Sequence, residues 1–132
     1  MSNSYPQNAL VVVADGHKAK LFRNHCSDGG LDLRKMEDWE PEDLDSDGPA
    51  GNRPKESSQQ DTNEAIFAKQ IAVRLNRMAH KNTFDSLVLV ADPQTLGQMR
   101  PSLNKKTLSL LVKDFAKTLT NSSIDDIQRA IG

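Results

Sequence analysis

A single α/β domain built on a mixed five-stranded sheet flanked by helices is what this sequence predicts, and three observations carry the prediction. Two short blocks of valine and leucine, at residues 10–14 and 87–91, have the unbroken apolar character of strands buried on both faces. Between them, Ala65, Ala68, Ile71, Ala72, Leu75, Met78 and Ala79 recur at helical spacing, as a helix does when one stripe covers a sheet. The length, 132 residues, suffices for one buried core and asks for no second domain.

The elements follow in order. After the first block, Asp15-Gly16 predicts a two-residue hairpin with left-handed backbone, so the chain turns back on itself. Lys18, Lys20 and Asn24 then alternate with Ala19, Leu21 and Phe22 as a second, antiparallel strand, and the SDGG stretch at 27–30 is a further turn. Leu31, Leu33 and Lys35 give one face of a third strand. Residues 38–60 are rich in Pro, Gly, Asp and Ser without apolar period, and they read as one long loop. Residues 61–64, DTNE, offer caps for the long helix, whose polar side carries Arg74, Arg77 and Lys81. The second apolar block ends in Asp92-Pro93, an N-cap and a proline suited to the first helical turn, which predicts a helix over 94–103 that Pro101 ends or kinks. Residues 107–115 fit both periods: Leu108, Leu110 and Val112 alternate as a strand, while Leu108, Leu111, Val112 and Phe115 recur as a helix. Ser122 or Ser123 caps a closing helix through Ile124, Ile127, Gln128 and Ile131.

Composition narrows the function classes. The apolar runs are far shorter than the roughly 20 residues of a membrane span, and residues 1–8 lack the features of a signal peptide, which predicts a cytoplasmic protein. Cys26 is the single cysteine, so no internal disulfide forms. The formal charge of −1 conceals a separation: residues 37–64 hold ten acidic residues against Arg53 and Lys55, which leaves fifteen basic against eight acidic elsewhere. An acidic segment on a basic body suits either a polyanion-binding face or a solvated loop.

With the uncertain segment taken as a strand, the order becomes three strands, helix, strand, helix, strand, helix, the order of ribonuclease H-like folds. The stretches VVVADGHKAKLF, FAKQIAVRLNRMAHKNTFDSLVLVADPQTLGQMRPSL and LVKDFAKTLT resemble the bacterial host attachment protein family in motif, order and spacing over nearly the whole chain. That family is in turn similar to the middle domain of eukaryotic-type peptide release factors. In those factors a Gly-Gly-Gln loop between the third strand and the first long helix promotes peptidyl-tRNA hydrolysis on the ribosome. The equivalent stretch here, DSDGPAGNRPKESSQQD, has Gly48, Gly51, Gln59 and Gln60 but no Gly-Gly-Gln, so the resemblance carries no hydrolase chemistry over. It implies an intracellular factor associated with RNA or the ribosome and linked only indirectly to attachment.

Three sets of residues are candidates for chemistry. Asp15, Glu64 and Asp92 fall on the first strand, first helix and fourth strand, where ribonuclease H-like nucleases hold divalent ions between carboxylates. Each also has a structural explanation, as turn residue, first-turn acid and helix cap respectively. Asp43, Asp45 and Asp47 copy the first half of a calcium loop, but Pro54 stands where the bidentate glutamate belongs and Glu56 comes two residues late. A basic set comprises Lys18 and Lys20 on the second strand, Arg74, Arg77 and Lys81 on the helix, and Arg100, Lys105 and Lys106 beyond the second block. These supply sequence-independent affinity for phosphates. One Trp, one Tyr and four Phe leave little for base stacking, so structured RNA or the ribosome is the expected partner. A protein partner held by the acidic loop is the alternative. His17, His25 and His80 lack zinc spacing, the neighbouring His25 points to the face opposite Cys26 if that stretch is a strand, and no cofactor is implied.

Overall fold

The computed structural model describes residues 5–44 and 59–132, the side chains of residues 42, 43 and 59–62 excepted. The two valine-rich blocks are β1 (Leu10–Ala14) and β4 (Leu87–Ala91), buried at every position. They run parallel and in step, from Leu10 opposite Leu87 to Ala14 opposite Ala91. Strands at the centre of a sheet covered on both faces have no solvent side, and their sequences therefore do not alternate. β2 (Ala19–Asn24) pairs antiparallel with β1, and β3 (Leu33–Trp39) pairs antiparallel with β2. β5 (Leu111–Ala116) lies parallel to β4, which completes a five-stranded sheet of order β3-β2-β1-β4-β5.

Parallel neighbours need long connections, and the helices supply them. A short α1 (Pro41–Leu44) follows β3, and α2 (Gln59–His80) carries the chain back to β4. α3 (Pro93–Met99), one 3-10 turn over Arg100–Ser102 and α4 (Lys105–Leu110) join β4 to β5, and α5 (Ile124–Ile131) closes the described chain. The pleat sorts the core. Leu10, Val12, Ala14, Leu87, Leu89 and Ala91 meet Phe67, Ala68, Ile71 and Leu75 of α2, whereas Val11, Val13, Val88 and Val90 meet Ile127 and Ile131 of α5. At about 25 cal/mol per Å² of apolar surface, these two layers supply the main drive to fold. Among the described residues no helix is long and apolar enough to cross a membrane.

Several elements differ from expectation for identifiable reasons. The β1–β2 connection is a four-residue turn over 15–18, closed by the Asp15 amide on the Lys18 carbonyl at 2.9 Å. Lys18 therefore belongs to the turn rather than to the second strand. Gly16 is not left-handed; Gly29, in the SDGG turn, is the described glycine with positive φ, at 92°. What Gly16 answers to is crowding, because a Cβ there would stand 2.5 Å from Cγ and 2.7 Å from Cδ of Glu64. β3 runs on to Trp39, and α1 follows, so the expected loop begins later than residue 38. The helix after Asp92 ends at Met99, with Pro101 in the 3-10 turn beyond it. Residues 105–116 use both periods in succession: Asn104 caps α4 through the Thr107 amide, and Leu111, at φ −75° and ψ 113°, is already extended.

Candidate functional site

Asp15 and Asp92 take the positions just after the paired Ala14 and Ala91, so they stand side by side at the carboxyl edge of the sheet. Ligands of open α/β sheets gather at such edges. Their local surroundings differ. Asp15 Oδ1 accepts from the amides of His17 at 2.7 Å and Lys18 at 2.9 Å, and Oδ2 accepts from the buried Thr120 hydroxyl at 2.6 Å. Burial works to raise the Asp15 pKa, but the Thr120 hydroxyl, the two amides and the Lys18 charge outweigh it and hold the carboxyl below its ordinary value. Asp92 accepts from the Thr95 amide at 3.1 Å and caps α3.

Glu64, one turn into α2, lies across Gly16 and meets His17 Nε2 at 3.1 Å. The turn is tied on its other side by Lys18 Nζ, which donates to Asn121 Oδ1 at 2.6 Å. Thus Asp15 and Glu64 do come to the same edge, with Gly16 and His17 between them. Among the described residues no group of three or more His, Cys, Asp or Glu gathers in a way that could hold a metal. Asp45 and Asp47 lie outside the described residues, as does the side chain of Asp43; Gln59 and Gln60 open α2. Cys26 donates its thiol to Asp28 Oδ1 at 2.7 Å, a contact that lowers the Asp28 pKa.

The basic residues form separate groups. Arg74, Arg77 and Lys81, at spacings of three and four, share one flank of α2 and line a cleft of about 320 Å³ with Met78 and Thr83. Arg74 is set by its guanidinium lying 5.4 Å from the centroid of the buried Trp39 ring. Asn76 projects from the opposite flank, because two residues of helix turn the side chain by roughly 200°. There it accepts from the Asn104 amide and the Thr107 hydroxyl and donates to the Ser102 carbonyl, which fixes the approach of α4. Lys105 and Lys106 are exposed on α4, and Arg100 pairs with Asp114 of β5. Lys20, in β2, belongs to neither group.

Sequence reasoning did not find Trp39, Thr120 or Asn121 as partners of these residues, since each comes from a segment remote in sequence. Nor did it find the larger hollow, of about 470 Å³, lined by Tyr5, Leu31, Asp125, Gln128 and Arg129; none of the sequence-predicted site residues lines it.

The profile of bacterial archaeo-eukaryotic release factor family 12 matches residues 8–131. The chain belongs to that family. No curated protein matches it. Membership in release factor family 12 bears out the release-factor side of the resemblance seen in the motifs and the α/β fold that goes with it. Host attachment is not part of what this family's description says.

Proposed function

We propose that this release factor family 12 protein is a non-catalytic factor that docks on structured RNA, the ribosome's included, through the cleft of Arg74, Arg77 and Lys81. The observation that carries the reading is the convergence of those three cations on one cleft, with Arg74 held in place by Trp39. A guanidinium stacked on a ring loses less freedom on meeting a phosphate than a solvated one. No aromatic ring is among the residues that line the cleft, and Trp39 itself is 2% exposed, so the site favours backbone phosphates over stacked bases. Release-factor kinship supports a translational setting. The sequence holds no Gly-Gly-Gln, and the carboxylates Asp15, Glu64 and Asp92 serve the turn, the turn–helix contact and the helix cap respectively.

Co-sedimentation with ribosomes and with total structured RNA tests this at two salt concentrations. Binding that weakens with salt is expected. In a protein with Arg74, Arg77 and Lys81 changed to Ala, the slope of log affinity against log salt should shrink by about 2 to 3, near one per lost phosphate contact. Equal binding by the triple variant, or none by the wild type at either salt, would remove the reading.

A further inference from the structure

Among the described residues β3 is an edge strand, with β2 on one side and no strand of this sheet on the other. Its ends, Leu33 and Trp39, are buried, while residues 34–38 are all exposed. An open edge presents unpaired N–H and C=O groups to any incoming strand, and proteins commonly guard it with charge. Here the charge is sorted. Arg34 and Lys35 precede Met36, and Glu37 and Asp38 follow it.

A second copy of the strand approaching antiparallel would lay the basic half of each against the acidic half of the other. A parallel approach would set like against like, which is destabilising. The pattern is therefore complementary to a second copy of itself when the two run antiparallel about Met36. Met36, at the pivot between the halves, falls outside the register with β2, where the partners step from Glu37 to Lys35, and it is 40% exposed. The ion pairs that these charges make within the protomer, Lys35 with Asp38 at 2.9 Å and Arg34 with Asp32 at 3.1 Å, lie at the surface, where such pairs contribute little and exchange readily. At the opposite edge the charges of β5 are engaged elsewhere, Asp114 by Arg100 and Lys113 over the Tyr5 ring.

We propose that two copies of this chain form a homodimer by antiparallel pairing of their β3 strands across a two-fold axis, which makes one continuous sheet. Sedimentation equilibrium tests it on the wild type, on Glu37→Lys with Asp38→Lys, on Arg34→Glu with Lys35→Glu, and on the two variants mixed. The wild type should dimerise, each variant should self-associate at least about tenfold more weakly, and the mixture should recover the dimer, because opposite charge is then restored across the interface. A wild type that stays monomeric at every soluble concentration overturns the proposal, as do variants that self-associate like the wild type. Hydrogen exchange on the wild type alone gives an independent reading. Amides of residues 34–38 should exchange more slowly in concentrated than in dilute protein, and exchange independent of concentration overturns the pairing.

Discussion

Asp15 shows how one side chain can carry a turn. It accepts three hydrogen bonds, from two amides of its own turn and from Thr120, more than a hundred residues away in sequence. Its pKa is depressed in the folded state, so its contribution to stability is present above the ordinary carboxylate value near 4 and is lost as pH falls through the lower, folded value. Asp15→Ala should cost about 1 to 3 kcal/mol at neutral pH, and the gap from the wild type should close under acid, as urea unfolding at stepped pH would show. An unchanged gap at the lowest pH would refute the assignment. Gly16 makes a second case. Gly16→Ala forces Glu64 aside and breaks its contact with His17, at a cost of about 1 kcal/mol, and in the Glu64→Ala background most of that cost should vanish. A double-mutant cycle with no coupling would mean that Gly16 serves the backbone instead. The sequence signalled a turn at both residues, but the partners came from the packing of α2 and of the segment after β5.

At the scale of elements, the decisive residue is Asn76, which sits on a helix as an unremarkable polar position. Its amide makes three hydrogen bonds to Ser102, Asn104 and Thr107, and Thr107 is fully buried. Asn76→Ala should therefore destabilise by about 1 to 3 kcal/mol, measured by thermal or urea unfolding, because it removes three hydrogen bonds and leaves the buried Thr107 hydroxyl with Asn104 Oδ1 alone. A cost below about 0.5 kcal/mol, typical of a surface change, would show that α4 is held by its apolar contacts alone. The segment from 105 to 116 illustrates why local pattern was insufficient there. Its leucines satisfy both periods, and the boundary at Leu111 is set by the cap at Asn104 and by pairing with β4, which a short window cannot weigh. The central strands were legible because burial on both faces leaves an unbroken apolar run. The third strand was legible from Leu33 to Lys35, but its reach to Trp39 was not, since RKMED has no apolar alternation.

At the scale of the molecule, charge and fold act together. A chain of net charge −1 still lines one cleft with Arg74, Arg77 and Lys81. Arg74, Arg77 and Lys81 occupy one flank of α2, and Lys105 and Lys106 belong to α4, which Asn76 ties to the other flank. Under the proposed docking, changing Lys105 and Lys106 to Ala should thus alter RNA affinity by less than about threefold, through long-range field alone. A loss matching that of the cleft variant would make the whole basic set one surface.

The sequence by itself determined the fold class, the two central strands, the long helix and its apolar stripe, and the caps at Asp92 and at Ser122 or Ser123. Those features rest on local period and local hydrogen bonding, which neighbouring residues specify. Only the tertiary structure decided that Thr120 bonds to Asp15, that Glu64 lies over Gly16, and that the basic residues divide among different places. Such outcomes depend on which distant segments the sheet order brings into contact, and one-dimensional pattern carries no direct record of that.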